Sequence, residues 1–155
     1  MEYGEHIGKN GNKQFLKSDV EYVDSNGYKY STDNVGRIEN ASGDLVLGQG
    51  ERNAYAQRTV GGSDRLAYDD GGHLIGSQFN GSGQFDNLLP QNSKINRVGG
   101  EWYNMEKTWA DALKGGSKVV VNIKPTFTLD SLRPDSFNVE YWIDGEKFIK
   151  FIKNP

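Results

Sequence analysis

At 155 residues, with a net charge of −3, no cysteine and 20 glycines, the chain fits one domain with a core of moderate size. The composition excludes a disulfide framework and a thiolate zinc site, and a 35% hydrophobic fraction beside so much glycine points to a loop-rich β-containing fold. No apolar run approaches the roughly 18 to 20 residues of a membrane span, and the N-terminus lacks a charged-then-apolar leader pattern. Export would have to be directed by another part of a longer chain, with Met1-Glu2-Tyr3 as the start of an excised domain.

Residues 1–18 are polar and carry nothing periodic before Phe15 and Leu16, which predicts a flexible lead-in ahead of a domain over 19–155. Strands at 20–23 and 28–30 flank Asp24-Ser25-Asn26-Gly27, a hairpin signal because Asn-Gly accepts positive φ at little cost. Turns at Asp33-Asn34-Val35-Gly36 and Ser42-Gly43-Asp44 extend this into a β-meander, and 51–59 reads as a short helix ended by Gly61-Gly62. A strand at 73–75, a glycine-rich loop at 76–83 and a returning strand at 87–89 follow. Ser93 is placed to cap a short helical turn. The principal helix spans 101–113, because Trp102, Met105, Trp109, Ala112 and Leu113 recur at intervals of three and four. A strand at 118–123, its extension through 125–129, and a hairpin of 137–143 with 147–152 across Asp144-Gly145 complete an α+β fold with a mainly antiparallel sheet.

The chemistry concentrates between residues 69 and 106. Hydrolysis by an activated water needs a group that takes the water's proton and positive charge for the anion that forms. His73, in Asp69-Asp70-Gly71-Gly72-His73, is the candidate base, since an imidazole with pKa about 6.5 accepts a proton without costly tuning. Gly71 and Gly72 leave room for a phosphate backbone to approach. The bland alternative is a histidine that merely ends a strand. Glu106 lies four residues after Trp102 and three before Trp109, which puts a carboxylate on the apolar helix face. That placement is expensive without a partner: the water shell of a metal, or a Lys or Arg in a buried ion pair. The net negative charge argues mildly against a nucleic-acid partner, but Lys94, Arg97, Lys107, Lys114, Lys118 and Lys124 gather after the proposed base.

Asp70, Gly72, His73, Asn87, Asn96, Trp102 and Glu106, in that order, resemble the DNA/RNA non-specific endonuclease family of the ββα-metal (His-Me finger) type. Within it the chain is most similar to the C-terminal toxin domains of LXG-type effectors of type VII secretion, over about 22–145. That stretch includes Asn53-Ala54-Tyr55-Ala56-Gln57-Arg58 and Leu132-Arg133-Pro134. The resemblance implies a finger core over about 69–114 and a Mg²⁺-dependent endonuclease, with Mn²⁺ as the alternative ion. It makes His73 the general base, Asn96 the metal ligand, Glu106 a second metal-associated and catalytic residue, and Asn87 a further site asparagine. Arg58 is a candidate for transition-state charge, and Arg37, Arg65, Lys94 and Arg97 are candidates for substrate contact. DNA is the expected substrate with RNA second, a cognate immunity protein the expected partner, and the cytoplasm of a target cell the place of action. Gly71 stands where many relatives carry Arg.

Two conditions accompany that reading. In an unbroken helix Asn96 and Glu106 would be separated by about 15 Å along the axis, so Gly99-Gly100 must bend the chain for them to share an ion. The competing class is a non-catalytic β-rich module that binds nucleic acid or glycan through its aromatic residues. It gives no reason for a carboxylate on the Trp102/Trp109 face.

Overall fold

In the computed structural model, which describes residues 2–155, the chain begins with a hairpin and not with the expected flexible lead-in: β1 (Ile7–Asn10) pairs antiparallel with β2 (Lys13–Leu16). A long-range anchor holds it, because His6 is fully buried with Nε2 3.0 Å from Asp86 Oδ2. No local pattern reveals a partner so far along the chain.

β3 (Glu21–Val23) and β4 (Lys29–Thr32) pair around the expected Asn-Gly turn, with Gly27 at φ 85°. β5 (Ile38–Asp44) then runs straight through Ser42-Gly43, where a turn is expected. Gly43 serves a close approach: the Tyr28 ring lies 2.6 Å from where a Cβ would stand. α1 (Ala54–Thr59) is capped by Asn53, whose Oδ1 accepts the Ala56 N–H at 3.0 Å. β6 (Asp69–His73) and β7 (Leu88–Asn92) form a separate two-stranded ladder, from Asp69 opposite Asn92 to His73 opposite Leu88. α2 (Ser93–Asn96) is capped by Asn92 and not by Ser93, and α3 (Glu101–Lys114) is the principal helix. β8 (Val119–Thr126), β9 (Ser136–Ile143) and β10 (Glu146–Lys153) complete a six-stranded antiparallel sheet in the order β10-β9-β8-β5-β4-β3.

The core forms where α3 and the β6–β7 finger meet one face of that sheet. Trp102 packs edge-on against Phe137 at 5.0 Å, and Trp109 against Tyr141 at 5.5 Å, so the helix stripe meets alternate residues of β9. Both indoles are fully buried, and truncating either would cost about 3 to 5 kcal/mol. Phe79, from the loop after β6, closes on Trp109 at 6.1 Å. The helix therefore fixes the sheet on one side and the finger on the other.

A second tie runs through Arg133. Its Nε donates to Asp69 Oδ2 at 2.7 Å and its Nη2 to Asp69 Oδ1 at 3.0 Å, while Nη1 and Nη2 also reach the carbonyls of Asn154 and Pro155. The Asp69 side chain is fully buried. Arg133→Ala leaves that buried carboxylate with the Leu66 N–H but no counter-charge and is expected to lower stability by about 3 kcal/mol, read as a fall in the urea midpoint.

Candidate active site

Everything in the site hangs from β6 and the residues that follow it. Asp70 reaches sideways from the strand and accepts the Asn96 Nδ2 at 3.1 Å. With its nitrogen held, Asn96 presents Oδ1 as an acceptor that makes no hydrogen bond among the described residues and is open to solvent. Arg97 clamps the same carboxylate through Nε at 3.0 Å and Nη2 at 2.7 Å. These donors hold the Asp70 carboxyl below its ordinary value against the opposing effect of partial burial. The bend between α2 and α3 is present. Gly99 has φ 89°, and a Cβ on Gly100 would lie 2.3 Å from the Ile95 carbonyl oxygen, so the start of α3 packs directly on the end of α2.

Glu106 arrives from the helix side. Its Oε2 is sealed and unpartnered, and it sits 2.5 Å from where a Cβ on Gly76 would be. Glycine at 76, three residues past His73, is what lets the carboxylate under the strand's exit. Glu106 makes no ion pair among the described residues, which removes the buried Lys or Arg partner as its explanation. Burial pushes its carboxyl up to about 8, and the approach of the Trp102 indole offsets only part of this, since that N–H makes no hydrogen bond of full geometry.

His73 closes the strand. Its Nε2 is buried without a partner, whereas Nδ1 is the ring nitrogen left open to solvent. Desolvation lowers the ring pKa to about 4, with the charge of Arg52 as a second cause, so His73 is neutral well below pH 7 instead of half-protonated near 6.5. Arg52 was not visible as a site residue in the sequence; it precedes α1 and reaches Ser77 Oγ at 3.4 Å. The acid limb of kcat/KM is therefore expected below pH 6.5, displaced toward 4. Arg52→Gln removes the secondary cause and is expected to move that limb upward, by less than the full displacement, in a pH–rate profile.

Of the eight buried side-chain polar atoms without partners among the described residues, five lie on β7, α3 or His73 (His73 Nε2, Gln91 Oε1, Trp102 Nε1, Glu106 Oε2 and Trp109 Nε1), and three lie away from them on Asp24, Asn40 and Asn122. A family model for DNA/RNA non-specific endonucleases matches residues 18–145. The chain belongs to that family. It is 45% identical over 159 residues to the type VII secretion system protein EssD of Staphylococcus aureus strains USA300 and NCTC 8325 / PS 47. The match covers 99% of this chain and 26% of the relative, so the chain spans about a quarter of EssD's length. Among solved structures it shares its fold with NucA from Streptococcus agalactiae with magnesium ion bound, with a TM-score of 0.67 and 18% identity over 96% of this chain and 82% of that one. Sda1 nuclease with bound zinc ion gives 0.64 and 15% over 82% and 75%.

The other residues singled out in this endonuclease sort by what holds them. Asn87 is a correction: it is fully buried, its Oδ1 accepts Ile75 N–H at 3.0 Å and Tyr30 O–H at 3.2 Å, and its Nδ2 donates to the Ile75 and Ser82 carbonyls. With no capacity left for a phosphate or an ion, it acts on the loop backbone. Arg37 is also removed from the site, bound to Asp33 and the carbonyls of Leu129 and Ser131 and stacked over Phe127. Arg65 is a strut whose guanidinium donates to the carbonyls of Gln57 and Asp69, tying α1 to β6. Arg97 is exposed but committed to Asp70. Arg58 and Lys94 are exposed, with no ion pair among the described residues, and remain available to a polyanion. Gly71 and Gly72 do not open space for a phosphate: a Cβ at 71 would meet the Gln57 carbonyl oxygen at 2.3 Å, and one at 72 the Gln91 Cβ at 2.8 Å. Any side chain at 71, an arginine included, would force α1 away from β6.

Proposed function

We propose that this endonuclease domain hydrolyses phosphodiester bonds of DNA, with RNA as a second substrate, using Mg²⁺, and that it serves as the toxic part of a longer chain exported by type VII secretion. One observation supports the reading most: the open Oδ1 of Asn96, the open Nδ1 of His73 and the unpaired carboxylate of Glu106 are all tied to one seven-residue run, through Asp70, directly, and through Gly76.

The donor set suits a hard cation. Both candidate donors are oxygens, and no cluster of three His, Cys, Asp or Glu that could hold a metal is found among the described residues. An ion held by so few protein atoms keeps most of its waters, as Mg²⁺ prefers and Mn²⁺ tolerates. When bound, it supplies positive charge to the phosphate oxygens as the transition state forms. Asn96 Oδ1 would hold it directly, and Glu106 would accept hydrogen bonds from water bound to it. His73, with its proton on Nε2, takes a proton from the attacking water at Nδ1. Arg52, whose charge acts on the His73 ring, adds positive charge for the phosphate, and Arg58 and Lys94 hold the flanking backbone. None of these groups reads a base edge, which suits cleavage without sequence preference.

The secretion part of the proposal rests on the likeness to the type VII secretion system protein EssD, and the toxin part on the resemblance to the toxin domains of LXG-type effectors. A toxin of that kind would act in the cytoplasm of a target cell and would be matched by a cognate immunity protein. The test is incubation of plasmid DNA and total RNA with the protein, with and without EDTA, beside His73→Ala. Degradation is expected only from the wild type with the metal present; degradation that survives both chelation and the substitution would overturn the mechanism.

A further inference from the structure

The loop that carries Asp86 and Asn87 is bolted down by the N-terminal residues Tyr3 and His6. Asp86 is 1% exposed, and its carboxylate receives three donors: His6 Nε2 at 3.0 Å, the Tyr3 hydroxyl at 2.5 Å and the Ser82 hydroxyl at 3.0 Å. The Gly4 N–H donates to His6 Nδ1 at 3.1 Å, which makes Nε2 the N–H that faces Asp86. The His6 ring stacks on Tyr22 at 4.0 Å, and Tyr22 stacks on Tyr30 at 4.9 Å. Tyr22 donates its hydroxyl to the Asp86 carbonyl at 2.7 Å, and Tyr30 donates to Asn87 Oδ1 at 3.2 Å.

Asn87 passes this on to the site. It grips both sides of Ile75, accepting its N–H at 3.0 Å and donating to its carbonyl at 2.8 Å. β6 ends at His73, so no ladder holds Ile75, and the Asn87 side chain takes the place of a neighbouring strand there, while the Gly76 carbonyl accepts the Phe79 and Gly81 N–H groups. Ile75 stands two residues past His73 and directly before Gly76, whose bare Cα admits Glu106.

We propose that the His6–Asp86 pair positions the segment from His73 to Gly76, so that His6 and Asp86 act as positioning residues for phosphodiester hydrolysis although neither touches the substrate. The hydrolytic part rests on the function proposed above; the anchor itself does not. A buried network of this kind holds one geometry when every member is satisfied and loses it when a donor is removed.

The test uses His6→Phe, which keeps an aromatic ring on Tyr22 without a donor, and His6→Gln, which restores an N–H. Amide hydrogen exchange is followed at Ile75 and along α3, with kcat and KM on plasmid DNA. In His6→Phe, protection at Ile75 is expected to fall about tenfold or more while the α3 core keeps its own. The same variant is expected to lose about tenfold in kcat with KM within about twofold, because misplacing the base harms chemistry more than binding. His6→Gln recovers most of both. Tyr3→Phe removes one donor from the partly exposed edge and gives a smaller change in the same direction should His6→Phe fail to fold. Unchanged Ile75 protection in every folded variant, or a loosened Ile75 with wild-type kcat, overturns the proposal. If the wild type cuts no nucleic acid while Ile75 still loosens in His6→Phe, the anchor stands and the hydrolytic reading fails on its own.

Discussion

His73→Ala is expected to lower kcat/KM on DNA by about a thousandfold, within the range a positioned general base contributes. The Mg²⁺ dependence of the residual activity should keep its midpoint, because the ring makes no contact that holds the ion's ligands. Stability should hardly fall. The wild-type ring buries Nε2 without a partner, a cost of about 1 to 3 kcal/mol that the substitution removes and that offsets the cavity it leaves. Measured kinetics and urea midpoints on the same preparations separate these effects. A variant that stays within tenfold of wild type would leave His73 as a histidine that ends a strand.

The second large effect belongs to Asn96. Asn96→Ala deletes the amide oxygen that Asp70 holds open, and activity at fixed Mg²⁺ is expected to fall about a hundredfold or more, with the metal titration displaced to higher concentration. Asp70→Asn is the informative companion. It weakens the hold on the Asn96 nitrogen and frees Arg97, and it should cost about 10- to 100-fold through a displaced metal midpoint. His73→Ala changes the rate and not the midpoint, whereas these two change the midpoint. If all three behave alike, the division of roles between base and ligand is wrong.

Much of this arrangement is legible in the chain because it is written locally. The stripe of Trp102, Met105 and Trp109 gives α3 and puts Glu106 on its buried side, and Asn26-Gly27 and Asp144-Gly145 give their hairpins, since each signal lies within a few residues of the structure it makes. Gly99-Gly100 foretells the fold-back of α3 for the same reason. What fails depends on distant contacts. A glycine reports that no Cβ fits and not what fills the space, so Gly71 and Gly72 read as room for substrate when they are room for α1 and Gln91. An arginine reports a charge and not its partner, so Arg37 and Arg65 read as phosphate contacts when backbone carbonyls already occupy them. Arg52 carried no pattern at all. His6 looked like part of a loose terminus, because the carboxylate that buries it is 80 residues away.

The most direct measurement is the anomalous signal of Mn²⁺ in crystals of the wild-type protein grown with that ion. One peak is expected, about 2.0 to 2.3 Å from Asn96 Oδ1, with Glu106 reaching it through water and His73 Nδ1 within hydrogen-bond distance of a water beside the phosphate position. A peak elsewhere on the molecule, or no peak near Asn96 at saturating Mn²⁺ while Glu106 stays dry and unpaired, would contradict the single-cation site.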